Sequence, residues 1–231
     1  MCMISNPSFK EFLVYEDESI VVLDKPHGLL VTQDRYDKNI PYLKNMLSEY
    51  YCNIYVVHRL DKGTGGLLVF AKNKDTHRFL CSAFEKAEVR KKYLCIVRGK
   101  FEYAVTCMLP LSARAQRGKY KINFKSGRKA VTSFYPVKIG EKSSLVKAEL
   151  HTGRTHQVRI HLKALGHPLF QDFLYNEKIE DKRLTLYCSN ISFKHPLRGV
   201  TMHFERPLSS FMQGISERYL NNSELKVKTF E

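Results

Sequence analysis

Short apolar runs separated by polar turns dominate the chain, and most of these runs have the length of β-strands. The run at residues 19–24 contains four consecutive apolar positions, which is typical of a strand buried on both faces. An acidic turn separates it from a strand predicted at 11–15. The same pattern predicts further strands at 54–57, 66–71, 92–97, 130–139, 144–151, 185–193 and 200–204.

Three segments have helical spacing instead. Residues 41–51 place apolar positions on one face, behind a proline that suits a first helical turn. Asn73 is predicted to cap a helix that runs to about residue 89. Thr155 is predicted to cap a third helix, which Gly166 ends.

The order of these elements indicates a fold class. The strands outnumber the helices and do not alternate regularly with them, which favours an α+β fold with a large, mostly antiparallel sheet over a doubly wound parallel sheet. No internal repeat or clear linker divides the 231 residues, so we expect a single domain with its core at about 11–207. We expect the segment after Pro207 to be loosely attached.

The charge of the chain indicates a polyanionic partner. Lys and Arg total 38 against 23 Asp and Glu, which gives a net charge of +15 and attracts phosphate polymers. Much of the excess lies in the irregular stretch at 112–129, where Arg114, Arg117 and Lys119 precede Tyr120. This stretch suits a phosphate-contacting loop or hairpin. The alternative is a basic surface that serves solubility.

The six cysteines indicate the compartment. None lies in a Cys-x-x-Cys pair, which argues against a zinc ribbon or a thioredoxin-like site, and several occur in apolar runs such as 93–97. Free thiols favour a reducing, cytoplasmic location. We expect no signal peptide, and no apolar run approaches the ~20 residues that span a bilayer, so no membrane association is predicted.

One glycine-rich bend contains the strongest candidate for chemistry. Residues 58–70 read HRLDKGTGGLLVF, so Asp61 follows a strand and precedes glycines that expose its side chain. An ionised aspartate in such a bend can act as a nucleophile or a base. Arg59 could reach into an RNA helix, and His58 is predicted to shape the loop. The alternative is a turn aspartate that only accepts backbone N–H groups.

Two other segments offer partners for Asp61. Residues 151–161 read HTGRTHQVRIH, and Arg159 is the candidate that would keep Asp61 ionised, unless it merely lies on the exposed side of a helix. Tyr93 follows two lysines in an apolar strand. It could stack on an extruded base, which contributes about 1–3 kcal/mol per base, or it could be a core tyrosine.

Metal and nucleotide chemistry are not expected. His156 and His161 lie five residues apart, a spacing that separates them on a helix and lacks a metalloprotease pattern. The bend at 63–66 lacks the ending of a phosphate loop. Asp172 could supply a second carboxylate, although a capping or turn role is the alternative.

Four segments in this order resemble the RluA-type pseudouridine synthase family. They are KPHGLLV at 25–31, HRLDKGTGGLL at 58–68, KYLCIVRG at 92–99, and the stretch from 150 to 168. The resemblance covers about 14–207. The family usually has serine at the position of Gly65 and glycine at that of Gln171, and often asparagine at that of Asp24. We expect Gly65 to loosen the loop and lower the rate.

The resemblance implies a fold and a reaction. It implies a split sheet with flanking helices and a central catalytic cleft, in a stand-alone catalytic domain without an S4-type RNA-binding domain. It implies isomerisation of uridine to pseudouridine in tRNA or rRNA by an intramolecular transferase without metal or cofactor. The target base must leave the stack.

The resemblance also assigns roles. Asp61 would attack C1′ of the ribose or take a 2′ proton, Tyr93 would stack on the base, and Arg159 would hold Asp61 ionised. Arg59 would enter the helix in place of the flipped base. The other predicted substrate-binding residues are His58, Leu60, Arg154, Thr155, His156, Gln157, Arg114, Arg117 and Lys119.

Two other functions remain open on the sequence. The scaffold could be a catalytically idle RNA-binding protein or chaperone, although such a protein has no use for a carboxylate near phosphate. A glycoside hydrolase or N-glycosidase is the other alternative, but glycosidases usually need two carboxylates at a defined separation. We expect a monomer.

Overall fold

The computed structural model describes residues 9–116, 118–176 and 181–220. Ten strands of these residues form one sheet, and a 3₁₀ turn and four helices flank it. The strands are β1 Leu13–Glu16, β2 Ile20–Lys25, β3 Tyr55–Val56, β4 Gly65–Ala71, β5 Arg90–Arg98, β6 Val105–Cys107, β7 Thr132–Ile139, β8 Ser143–Leu150, β9 Leu186–Lys194 and β10 Thr201–Glu205. The turn covers Phe9–Phe12, and the helices are α1 Leu43–Ser48, α2 Lys74–Glu85, α3 Gln157–Ala164 and α4 Ser210–Leu220.

The sheet divides into two halves that meet at one short contact. One half has the order β1-β2-β4 and the other the order β9-β5-β8-β7-β6, and both are antiparallel throughout. The halves join where β4 and β9 run parallel, with Gly65 opposite Tyr187 and Gly66 opposite Cys188. Beyond this contact β3 pairs with β4 and β10 pairs with β9, so the two halves diverge. The result is the α+β split sheet that the sequence predicted.

Gly66 permits the contact between the halves. Its φ is +109°, and a Cβ there would collide with the backbone of Cys188. An L side chain would therefore be strained in conformation and excluded by volume. The join places the bend that contains Asp61 at the seam of the sheet.

The core explains why the runs form strands. All seven residues of β4 are buried, and so are five of the six residues of β2, as expected for adjacent central strands covered on both faces. Helix α2 packs on β4, and α4 packs on β8 through a separate apolar cluster. That cluster comprises Ile96, Leu145, Tyr187, Met212, Ile215 and Leu220.

One prediction of an element was wrong, and one strand was missed. The segment after Pro207 is not loosely attached as far as Leu220, because α4 buries Met212, Ile215 and Leu220 against the sheet. Strand β6 was not predicted, since its three residues are too short for a periodic signal.

The helix ends also differ in part from the predictions. Asn73 does cap α2, and its side chain accepts the Thr76 N–H at 2.9 Å. Thr155 does not cap α3: His156 stands at the cap in a left-handed conformation, with φ of 56° and no side-chain cap bond. None of the helices in the described ranges is long and apolar enough to cross a membrane.

Candidate active site

A cleft of about 880 Å³ lies at the seam between the two halves of the sheet. Its walls come from segments that are distant in sequence, including the bend at 57–64, the segment at 150–159, and Leu184 and Leu186 at the start of β9. The volume is that of a pocket for a small molecule or a single nucleotide. Asp61, Tyr93 and Arg159 all line it.

Hydrogen bonds to the backbone carbonyl groups of Asp61 and Lys62 stabilise the bend that contains Asp61. The Thr64 N–H donates to the Asp61 carbonyl at 3.0 Å and closes the turn. The Lys62 carbonyl accepts the Gly28 N–H at 2.8 Å and the Lys25 ammonium at 3.3 Å. The loop after β2 therefore supports the bend from behind and leaves the Asp61 side chain toward the cleft.

Lys25 is fully buried behind this bend. Its ammonium also donates to the carbonyls of Pro26 at 2.9 Å and Leu29 at 2.8 Å. Burial lowers the pKa of Lys25 to about 7, and the nearby Asp61 carboxylate opposes the shift. The lysine thus places partial positive charge behind Asp61 without entering the cleft lining.

Arg159 connects two carboxylates at the floor of the cleft. Its Nη1 donates to Asp61 Oδ2 at 2.9 Å. Its Nε and Nη2 form a two-point contact with Asp172 Oδ2 and Oδ1, at 2.8 and 2.7 Å. Arg159 and Asp172 are buried, whereas 30% of the Asp61 side chain is exposed. The sequence prediction that Arg159 and Asp61 meet is therefore realised in the geometry.

The two carboxylates favour the charged form of Arg159. Burial alone would lower the pKa of Arg159, but its hydrogen bonds and charge contacts with Asp172 and Asp61 outweigh burial and raise that pKa. Asp172 also accepts the N–H groups of Leu174 and Tyr175, both at 3.0 Å. Asp172 therefore has the turn role that the sequence suggested. It also orients Arg159, which the sequence did not predict.

His156 approaches the same oxygen of Asp61. Its Nε2 lies 3.5 Å from Asp61 Oδ2, and its Nδ1 lies 2.8 Å from the Tyr175 hydroxyl, which also accepts the Tyr120 N–H at 3.0 Å. Burial lowers the pKa of His156, and the Asp61 charge opposes that shift. Among the described residues both contacts with Asp61 reach Oδ2, so Oδ1 is left open to the cleft.

Tyr93 and His58 form apolar walls. Tyr93 is buried except for a small exposed fraction, and burial together with its contact to the Cys188 thiol raises its pKa well above the usual value. The ring is therefore neutral. His58 stacks on Phe84 at 4.6 Å, and its Nε2 accepts the Val69 N–H at 3.2 Å, so it shapes the loop as predicted.

The remaining predicted substrate-binding residues fall into different positions. Arg59, Leu60, Arg154 and Thr155 line the cleft, with Leu60 buried and the other three exposed. Gln157 does not suit RNA binding: its Oε1 accepts from Thr152 and Arg154, and its Nε2 donates to Val131 and Thr132. Its buried amide shapes the loop before α3.

The basic stretch forms a hairpin beside the cleft. Bridges join Leu111 to Ile122 and Arg128, and Gln116 to Lys119. Arg114 and Lys119 are exposed on this hairpin and do not line the cleft, while Arg117 lies outside the described residues. Tyr120 packs against His156 at 5.5 Å, so the base of the hairpin touches the site.

Other polar residues of the region have structural partners. His161 contacts Thr132 Oγ1 at 3.0 Å and the Leu109 carbonyl at 2.9 Å, which engages both ring nitrogens. The described residues contain no group of three or more His, Cys, Asp or Glu that could hold a metal ion. Sequence reasoning gave no role to Lys25, although it begins the segment 25–31 that resembles the family. It missed Tyr175, since a tyrosine in a polar turn has no distinctive spacing.

Comparisons with known proteins identify the family of the chain. The sequence model described as RNA pseudouridylate synthase matches residues 19–164. The dual-specificity RNA pseudouridine synthase RluA of Haemophilus influenzae is 32% identical over 207 residues, which are 86% of this chain and 94% of that protein. The protein of the same name from Vibrio cholerae is 37% identical over 189 residues, 80% of this chain and 77% of that protein.

A solved structure shares the fold. Human RNA Pseudouridylate Synthase Domain Containing 4 superposes with a TM-score of 0.75 at 21% sequence identity. The superposition covers 91% of this chain and 93% of the human chain. Human RNA Pseudouridylate Synthase Domain Containing 1 gives the same TM-score at 24% identity. These matches confirm the predicted fold class.

Proposed function

The chain belongs to the RNA pseudouridylate synthase family and isomerises uridine to pseudouridine in RNA; from that premise we propose how its own residues carry out the reaction. Asp61 is the reacting carboxylate, Arg159 orients it, and Tyr93 receives the base. The observation that carries this proposal is the contact of 2.9 Å between Arg159 and Asp61 at the floor of the cleft.

The reaction needs an ionised carboxylate with one oxygen available. Oδ2 of Asp61 faces Arg159 and His156, so Oδ1 is the oxygen that attacks C1′ of the ribose or takes the 2′ proton. The bond between N1 and C1′ breaks as the bond from Oδ1 to C1′ forms or, in the alternative, as the 2′ proton leaves and a glycal forms. The freed uracil rotates and joins C1′ through C5. In that step the bond from Oδ1 to C1′ breaks or, on the glycal route, C2′ takes its proton back from Asp61. C5 loses its proton and N1 gains one, so the product is an isomer of the substrate.

The cleft must hold an extruded nucleotide during this rotation. A base inside a duplex cannot reach Asp61, so the uridine leaves the stack and enters the space beside Tyr93. The neutral ring of Tyr93 offers a stacking surface and limits the access of water. Arg59, exposed at the mouth of the cleft, takes the place of the extruded base in the RNA helix.

The RNA footprint extends from the cleft to the basic hairpin. Arg154 and Thr155 line the mouth, and Arg114 and Lys119 lie exposed on the hairpin whose base touches His156. We assign these residues to phosphate contacts, with tRNA or rRNA as the substrate. The relatives from Haemophilus and Vibrio bear the name of dual-specificity enzymes, which supports testing both RNA pools.

The surroundings of the enzyme are part of the proposal. Cys95, Cys107 and Cys188 are buried free thiols, as suits a reducing compartment, and we assign the enzyme to the cytoplasm. We further propose that it acts as a monomer. Light scattering at assay concentration would show a dimer if that assignment is wrong.

The substrate assignment is tested by tritium release from RNA that carries 5-tritiated uridine. Total tRNA and rRNA are taken separately from cells that lack this protein and incubated with the purified enzyme. Release from one or both pools supports the proposal and names the substrate class. Tight binding to both pools without release from either would contradict it and favour a catalytically idle scaffold.

A further inference from the structure

His27 occupies the space that a side chain at position 65 would need. Gly65 begins β4, four residues after Asp61, and a Cβ at Gly65 would lie 2.6 Å from Nε2 and 2.7 Å from Cδ2 of His27. Such distances are shorter than real contacts of a Cβ atom. The imidazole and the absence of a side chain at Gly65 are therefore linked features of this sequence.

The ring of His27 is held at both nitrogens. Nδ1 lies 2.8 Å from the Gly63 carbonyl, which can only accept, so Nδ1 carries the proton. Burial lowers the pKa of His27 and favours the neutral ring, whose Nε2 then accepts from the Ser209 hydroxyl at 3.1 Å. The Phe211 ring packs against it at 4.8 Å. A ring fixed in this way cannot swing aside cheaply for a substituent at Gly65.

The partners of His27 belong to the start of α4. The Met212 N–H approaches Ser209 Oγ at 3.4 Å and the Gln213 N–H donates to the Ser209 carbonyl at 2.8 Å, as in the first turn of a helix. Met212 is fully buried against the sheet. Helix α4 lies outside residues 19–164, which match the family, yet Ser209 and Phe211 at its start contact His27, which in turn contacts the Gly63 carbonyl in the bend of Asp61.

We propose that His27 is a positioning residue that transmits the support of α4 to the bend of Asp61. It fixes the Gly63 carbonyl, two residues after Asp61, and thereby fixes the direction of the Asp61 side chain toward Arg159. This inference rests on the proposed role of Asp61. It also replaces the expectation that Gly65 loosens the loop, because His27 fills the space beside Gly65.

A structural role alone would have a different signature. The Gly63 carbonyl also accepts the Leu184 N–H at 2.8 Å, so the bend stays closed when His27 is removed. His27 is not among the described residues that line the cleft, so it does not contact bound RNA there. Loss of His27 should therefore lower kcat while KM and the fold change little.

The test is a double-mutant cycle of His27→Ala and Gly65→Ala, with kcat, KM and Tm measured on one RNA substrate. Each single variant should lower kcat about tenfold, since either change removes the ring from the Gly63 carbonyl. The double variant should resemble His27→Ala, because the new methyl group enters vacated space. His27→Asn should recover most of kcat, as its amide N–H takes the place of Nδ1–H.

A matched control is His167→Ala. His167 also contacts a backbone carbonyl, that of Arg98 at 2.9 Å, and an aromatic ring, that of Phe101 at 5.1 Å, but it does not line the cleft among the described residues. It should lower Tm without lowering kcat. If His27→Ala unfolds, Ser209→Ala replaces it in the test and should lower kcat a few-fold with Tm nearly kept.

The inference would be overturned if the losses of kcat in the two single variants added in the double variant. It would also be overturned if His27→Ala left kcat unchanged. Failure of the proposed function would give a different result. Asp61→Asn would then turn over normally, regardless of the kcat values in the double-mutant cycle of positions 27 and 65. Coupling between positions 27 and 65 in Tm, with no coupling in kcat, would reduce His27 to a packing residue and also overturn the inference.

Discussion

The Arg159 guanidinium lies 2.9 Å from the Asp61 carboxylate, although 98 residues separate the two in the chain. Asp172 fixes that guanidinium from the other side with two hydrogen bonds. The arginine is therefore oriented before RNA arrives, and its third donor points at the Asp61 carboxylate. Preorganised charge of this kind is effective because no reorganisation is needed during the reaction.

Replacement of Arg159 by methionine should cost both stability and turnover. It leaves Asp172 as a buried, unpaired carboxylate, and removal of one partner of a buried pair typically costs about 3–5 kcal/mol. We expect the free energy of unfolding, measured by urea titration, to fall by about that amount, and product formation to fall below detection.

A second substitution separates the two effects. In Arg159→Met/Asp172→Asn no charge is left unpaired in the interior, and the amide oxygen at position 172 can still accept the N–H groups of Leu174 and Tyr175, so most of the stability should return. Turnover should not return, since Asp61 still lacks its partner. Recovery of turnover with stability would show that Arg159 acts only on the fold.

Neutralisation of the basic hairpin should weaken RNA binding and reduce its dependence on salt. The triple variant replaces Arg114, Arg117 and Lys119 by glutamine. If each contacts a phosphate, the slope of log Kd against log salt should fall by about 1 per residue. Filter binding at several salt concentrations measures this slope.

A control of equal charge uses exposed lysines that do not line the cleft. Lys74, Lys142 and Lys194 are exposed at the start of α2, in the turn before β8 and at the end of β9. Their replacement by glutamine should leave the slope nearly unchanged. Equal slopes for the two triple variants would remove the hairpin from the RNA footprint.

Removal of the Tyr175 hydroxyl should disturb His156 and the hairpin together. Tyr175→Phe leaves the Tyr120 N–H without its acceptor, at a cost of about 1–3 kcal/mol, and frees the His156 ring beside Asp61. We expect lower stability and a several-fold lower kcat. Tyr135→Phe is the control, since the Tyr135 hydroxyl makes no hydrogen bond to the described residues and its loss should change neither quantity.

His58 should make the protein sensitive to acid. Burial puts its pKa well below the usual value, and its Nε2 accepts the Val69 N–H, which requires the neutral ring. In the unfolded chain a histidine takes up a proton near pH 6.5. As the pH falls below that value, the unfolded state gains a proton that the folded state does not, so stability falls by up to about 1.4 kcal/mol per pH unit.

His58→Gln tests this dependence, because the amide oxygen can accept the same Val69 N–H but does not titrate. Urea unfolding between about pH 6.5 and pH 5 should give a shallower slope for the variant, by about 1 kcal/mol per pH unit. An unchanged slope would show that His58 titrates alike in both states.

Local sequence patterns predicted much of the fold and one side of the site. Apolar runs identified β2 and β4 because both strands are buried on both faces. The glycine-rich bend singled out Asp61 because its glycines allow a bend that exposes the side chain before them. Both signals arise within a few residues of the chain.

Features that depend on distant contacts were not predictable in this way. Helix α4 has only three fully or nearly buried side chains, which is too weak a pattern to predict a docked helix from sequence. Their burial depends on contacts with the sheet, which local sequence does not reveal. The sequence suggested a turn role for Asp172, but its two hydrogen bonds with Arg159 depend on how α3 packs. The left-handed His156 at the start of α3 likewise follows from its contact with Tyr175, and no local cap signal reveals it.

The most direct test of the account compares Asp61→Asn with the wild type. The substitution keeps the shape of the side chain and removes only the charge and the nucleophile. Pseudouridine formation and RNA binding are measured on the same RNA, with Asp75→Asn on the exposed start of α2 as the control. The account predicts no product from Asp61→Asn with RNA binding largely kept, and full activity from the control. Turnover of Asp61→Asn within about tenfold of the wild type, less than a lost nucleophile costs, would contradict it.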